Sequence, residues 1–198
     1  MYNFLKQKLK HTPKQVKYFF YKAIAILLAW KLVYIFLLMP SRIIDQPLTQ
    51  IAANSTASTI NLIENTNDYS SKTVKAYVFR SGEGIWVNQA AIYNKQEKVL
   101  AVEDACNGLE LFVLYAGFII CLPALFLRKS IFIFSGLIMI YLVNVFRCVG
   151  IVYVIENYPA YLDFTHHYLF TFMVYIFIIW LWLQFSKKLS ISNVQTEQ

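Results

Sequence analysis

Four apolar blocks interrupt an otherwise polar chain, at residues 23–39, 106–127, 131–155 and 168–185. Each is a continuous run of helix length, without the apolar–polar alternation of a half-buried strand. At about 1.5 Å of rise per residue, each is long enough, or nearly so, to cross a hydrocarbon core about 30 Å thick. The first, AIAILLAWKLVYIFLLM, ends at Pro40. It exceeds the apolar core of a signal peptide, usually about 7–15 residues, and no small-residue cleavage site follows closely, so it reads as an uncleaved anchor.

Between the first two blocks the pattern changes. Leu48, Ile51, Ala52, Leu62 and Ile63 are spaced as a loose helix face. The stretches TVKAYVF, IWVNQAAIY and KVLAV then read as short strands, separated by the turn-rich RSGEG and NKQE. The pattern therefore predicts an all-α polytopic membrane protein of four transmembrane helices, with a small extracytoplasmic α/β insert at residues 40–105 between helices 1 and 2. That insert is the leading candidate for substrate or partner recognition.

Charge sets the orientation. The chain carries 18 Lys and Arg against 11 Asp and Glu, a formal charge of +7. No basic stripe on a soluble face emerges, which argues against a nucleic-acid partner and leaves the lipid bilayer as the surface contacted. Lys6, Lys8, Lys10, Lys14, Lys17 and Lys22 precede the first block, Arg128 and Lys129 separate the second from the third, and Lys187 and Lys188 follow the last. By the positive-inside rule, residues 1–22, the 128–130 turn and the 186–198 tail are cytoplasmic, in a plasma (inner) membrane. Of the acidic residues only Glu197 falls on that side, whereas Asp104, Glu156 and Asp163 lie outside with the 156–167 loop. Lys31, near the middle of the first block, costs a few kcal/mol unless it snorkels or finds a carboxylate.

The chemistry lies at one depth. Cys106 opens the second block, Arg147 is embedded in the third, and His167 begins the fourth, so three capable groups converge near the outer surface. A thiol is a competent nucleophile when a base or a cationic neighbour supplies thiolate. Imidazole can take that proton and return it to a leaving amine, and guanidinium, always charged, can stabilise an oxyanion. Glu110, one turn from Cys106, is a candidate ion-pair partner for Arg147. Asn144 lies one turn from Arg147, where it could orient the guanidinium. Cys106 with His166 and His167 lacks recognisable metal-ligand spacing, and the acyl-transfer reading calls for no metal or organic cofactor. Cys121 and Cys148, inside apolar runs, read as inert buried thiols. The competing reading is a non-enzymatic assembly or export subunit whose Arg, His and Cys only hold the bundle together.

Three islands, ACNGL at 105–109, NVFRCVGIV at 144–152 and HHYLFTFMVY at 166–175, together resemble the exosortase/archaeosortase family of membrane-embedded protein-sorting enzymes, in a short four-span form. The resemblance implies Cys106 as nucleophile, Arg147 as oxyanion or substrate stabiliser, and His167 as acid/base. His167 is preferred to His166 by its spacing to the following aromatic run. Gly108 would spare room for a substrate backbone, and Thr171 stands where many members carry glycine. The implied substrates are exported proteins ending in a short motif, a hydrophobic helix and a basic tail. Their thioester on the enzyme would pass to an unidentified amine acceptor or to water, making the protein a transpeptidase or a protease.

Overall fold

In lipid a backbone must satisfy its own polar groups, and the apolar runs do so as helices. The computed structural model describes residues 14–80 and 83–196. Lys6, Lys8 and Lys10 of the basic leader, Ser81 and Gly82 of the expected turn, and Glu197 lie outside the described residues. Helix α1, Lys14–Val33, continues through a wide π turn at Tyr34–Leu38 and a last turn at Met39–Ser41. It stops at Arg42, whose left-handed φ of 50° reverses the chain.

Helix α2, Asp45–Glu64, then runs to Asn65, also left-handed. Its buried stripe is Asp45, Thr49, Ala52, Ala53, Thr56, Ala57 and Ile60. Of the face expected from sequence only Ala52 is buried, whereas Ile51, Leu62 and Ile63 are exposed. Small residues win the stripe because a sheet and a long helix both approach α2 closely there, which bulky side chains would prevent. The sheet is an antiparallel meander of β1 (Tyr69–Arg80), β2 (Glu83–Asn94) and β3 (Glu97–Val102), in that order. A register shift falls at Ile92/Tyr93, and Ala91 pairs with Ala101.

After a 3-10 turn at Asp104–Cys106, α3 covers Leu109–Cys121, and α4 covers Phe126–Asn157. Short turns at Pro159–Tyr161 and Leu162–Phe164 and a π turn at Thr165–Leu169 lead into α5, Phe170–Thr196. Among the described residues, three helical stretches are long and apolar enough to cross a membrane: Lys17–Ser41, Phe126–Asn157 and Pro159–Lys187. The chain is a multi-pass membrane protein.

The expected second span, 106–127, is not among these stretches. Its helix has 13 residues, about 20 Å at ~1.5 Å each, short of a hydrocarbon core. Pro123 supplies the reason, because it forces Leu122 into the extended region (ψ 144°) and ends the helix. The reversal therefore comes at Leu122–Leu125. Arg128 and Lys129, expected in a turn, lie in the opening turn of the 32-residue α4. Lys129 Nζ reaches back to the Ile120 carbonyl at 3.0 Å and helps close the end of α3.

Two cores result. Tyr115 and Ile119 of α3, Ile140 of α4, and Val174, Ile178, Leu181 and Phe185 of α5 form the bundle core. The other joins Ala53, Ala57 and Ile60 of α2 to Tyr69, Ala90, Ile92 and Val102 of the sheet, and to Cys106 and Val152. Polar ties fix this layer to α4. Ser55 and Tyr141 share a hydroxyl hydrogen bond of 2.6 Å, Tyr69 OH donates to Glu156 Oε2 at 2.6 Å, and Asn94 Nδ2 donates to Glu156 Oε1 at 2.9 Å. Burial first, then Glu156, pushes the Tyr69 phenol up, which keeps it a donor.

Candidate active site

Cys106 ends the 3-10 turn that carries the chain from β3 into α3, its N–H bonded to the Glu103 carbonyl at 2.9 Å. Two residues on, Gly108 adopts φ 87°, which side-chain-bearing residues rarely reach. Space is not what demands glycine: an added Cβ would find its nearest neighbour, Phe112, at 3.5 Å. Gly108 is required for the turn itself.

Both flanks of Cys106 are tied to the insert. Arg42 grips Asp104 with two bonds, Nε to Oδ2 at 3.2 Å and Nη2 to Oδ1 at 2.5 Å, and its Nη1 reaches the Asn88 carbonyl at 2.5 Å. On the other flank Asn107 donates to Asp45 Oδ1 at 2.8 Å, and Tyr34 OH donates to Asp45 Oδ2 at 3.2 Å. The Asn107 side-chain oxygen accepts the Leu109 N–H at 2.8 Å, covering one of the free donors at the start of α3. From α4, Asn144 Nδ2 donates to the Cys106 carbonyl at 2.8 Å. Asn144 thus orients the backbone of Cys106, where sequence spacing suggested it would orient the guanidinium.

The sulfur has two polar neighbours of interest. Cys106 Sγ lies 3.6 Å from His166 Nε2 and 3.9 Å from Arg147 Nη2. Cys106 is 8% exposed and Arg147 9%. Burial pushes the Cys106 thiol up from its ordinary range, Arg147 draws it partly back, and Glu103 adds to the rise.

The imidazole against the sulfur is that of His166, not of His167, which the spacing to the aromatic run favours. The π turn at Thr165–Leu169 is the physical reason, because its wider winding shifts the helical phase by a residue. Thr171 stabilises the same turn by donating to the His166 carbonyl at 3.2 Å. His167 is exposed and faces Asp163, with Nδ1 3.1 Å from Oδ1. Glu110 does not pair with Arg147 either. It pairs with Lys31 at 2.5 Å, which answers the question of that lysine's partner. Cys121 and Cys148 are buried free thiols.

Two cavities are lined by members of the trio Cys106, His166 and Arg147. A cleft of about 460 Å³ holds Cys106 and His166 between the end of β3, Ile151 and Ile155 of α4, and the segment from Pro159 to His167. A second, of about 290 Å³, lies among α1, α3, α4 and α5, and Gly108, Lys31, Glu110 and Thr171 line it together with Arg147. Arg147 Nε and Asn144 Oδ1 are buried without a hydrogen-bond partner among the described residues. A buried donor on a permanent cation is poised to receive an oxygen. Among the described residues no group of three or more His, Cys, Asp or Glu is placed to hold a metal ion. Thiol, imidazole and guanidinium are a set suited to nucleophilic acyl transfer. Sequence reading gave no site role to Arg42, Asp45, Asp104 or Asn107; Asp104 was noticed only as an extracytoplasmic acid and Asn107 only as part of ACNGL.

A model of the transmembrane exosortase family matches residues 17–183, most of the chain. No curated protein and no solved structure matches significantly.

Proposed function

The chain belongs to the transmembrane exosortase family, and from that premise we propose that it is a cysteine transpeptidase or protease that cleaves C-terminal sorting signals of exported proteins. The observation that carries this reading is the closeness of Cys106 Sγ to His166 Nε2, 3.6 Å, and to Arg147 Nη2, 3.9 Å. In the proposed reaction Sγ attacks the scissile carbonyl carbon while its proton passes to His166 Nε2, so the ring hydrogen sits on Nδ1. Arg147 stabilises the negative oxygen of the tetrahedral intermediate. When the C–N bond breaks, His166 returns its proton to the leaving amine and Cys106 keeps a thioester. An amine acceptor or water then attacks that thioester and regenerates the thiol.

The sheet-bearing end is the extracytoplasmic one in this reading, because Lys17, Lys22, Lys129 and Lys187 all sit at the opposite ends of their helices. The hydrophobic helix and basic tail of the substrate then lie in the bilayer and the cytoplasm, beyond the scissile bond. The test is co-expression of Cys106→Ala with an exported reporter bearing a motif–helix–basic-tail terminus. Processing is expected to stop, and a tail removed at the normal rate would end the proposal.

A further inference from the structure

One wall of the cleft has a backbone edge that the catalytic trio leaves unused. β2 lies between β1 and β3, so β3 is an outer strand. Among the described residues no backbone or side-chain hydrogen bond reaches the far edge of Glu97–Val102. Successive residues of an outer strand turn their N–H and C=O groups alternately toward the neighbour and away from it, leaving a row of free donors and acceptors. Outer strands are usually blunted by charge, and Glu97 and Lys98 serve that purpose at the start of β3. From Val99 to Val102 the sequence is VLAV, with no charge and no proline. Leu100, Ala101 and Val102 line the cleft that holds Cys106 and His166, and Ile151, Ile155 and Leu162 face them across it. The unblunted part of the edge is therefore the part beside the nucleophile.

We infer that the cleft takes the peptide segment preceding the scissile bond as an added strand, hydrogen-bonded backbone to backbone along Val99–Val102. The inference rests on reading Cys106 as the acylating nucleophile, and it names how the substrate reaches that thiol. A peptide entering an apolar cleft must find partners for its own N–H and C=O groups, and a free strand edge offers them at the repeat an extended chain needs. Alternate side chains of the peptide then point to opposite sides, one set toward Ile151 and Ile155. Chain direction follows from the same geometry. β3 runs toward Cys106, and the tail after the scissile bond must descend past Arg147 to the bilayer. Residues before the scissile bond therefore lie beside β3 and parallel to it.

Main-chain recognition tolerates many side chains, so a generic probe suffices. The purified full-length protein in detergent is treated with acetyl-Ala-Ala-Ala chloromethyl ketone, with acetyl-Ala chloromethyl ketone and with iodoacetamide, and the Cys106 adduct is followed by mass spectrometry. The tripeptide is expected to label Cys106 at least about tenfold faster than the single-residue ketone, as one or two added main-chain bonds allow. N-methylation of one inner amide should abolish the gain, and N-methylation of its neighbour should not. Backbone amides within Val99–Val102 should gain protection from hydrogen exchange in the tripeptide adduct and not in the carboxamidomethyl adduct. Equal rates for the two ketones, or unchanged exchange along β3, overturn the added strand while leaving the nucleophile in place. If none of the reagents labels Cys106 in preference to Cys121 and Cys148, the catalytic reading itself falls.

Discussion

Arg42 and Asp104 stand 62 positions apart in the chain, yet the guanidinium holds both carboxylate oxygens of the residue two before Cys106. Their side chains are 11% and 10% exposed, so water does little to screen the pair. The reversal at the end of α1 thereby reaches across to the 3-10 turn of Cys106. Asp45 does the same for Asn107, so the turn is tied on both flanks by residues of the insert.

Removing one member of this pair strands the other. Arg42→Ala should lower stability by about 3 kcal/mol, as for other partly desolvated pairs broken from one side. Arg42→Leu combined with Asp104→Leu should be milder than either alone, because no charge is then left unpaired. Thermal unfolding in detergent checks both statements; single variants as stable as the parent would show that the clamp carries no weight.

The raised Cys106 thiol predicts a pH dependence with a definite sign. A thiol above its ordinary range is neutral below that range, and thiolate accumulates only as pH rises. Alkylation by iodoacetamide should climb about tenfold per pH unit from roughly pH 7 to 9 without levelling. Arg147→Leu removes the attraction that favours thiolate, so labelling should slow throughout that range. A plateau near neutrality would instead report a standing thiolate–imidazolium pair.

The two histidines should separate cleanly. His166→Ala removes the group nearest the sulfur, and processing of a tailed reporter should fall by roughly 10²–10⁴-fold, the usual worth of a general acid–base. His167→Ala loses only an exposed contact to Asp163 and should stay within a few-fold of the parent. The opposite ranking would move the acid–base role to His167.

Lys31 and Glu110 are a further paired feature, joining α1 to α3 at 2.5 Å. Glu110→Leu leaves Lys31, near the middle of a membrane-spanning helix, without its partner. A lone charge there costs roughly 2.5–3.5 kcal/mol on insertion scales, and Lys31→Leu leaves Glu110 unpaired in turn. Membrane-inserted protein should decline in either single variant and recover in the exchange Lys31→Glu with Glu110→Lys. Abundance that ignores all three changes would mean the contact is incidental.

Apolar run length made the helices of α1, α4 and α5 legible, because a long uncharged run has few other folds available. It overreached at 106–127, where Pro123 and Gly108 are local signals outweighed by the hydropathy of their neighbours. The three residue types of the site were legible from their chemistry and their common depth. The histidine register was not, since a π turn shifts phase without a distinctive composition. Arg42 and Asp104 were illegible for another reason: each looks like an ordinary solvated charge until tertiary structure brings them together. The α2 stripe misled because Ala and Thr carry little hydropathic weight, although they are what lets two neighbours pack closely.

The central claim is that Cys106 becomes acylated, and trapping that adduct tests it most directly. The full-length protein, incubated with a tailed reporter and quenched in acid, is digested and analysed by mass spectrometry. The account predicts the upstream reporter fragment on Cys106 through a bond that hydroxylamine cleaves, absent from Cys106→Ala. A reporter that loses its tail with no adduct on Cys106, and equally well in Cys106→Ala, would contradict it.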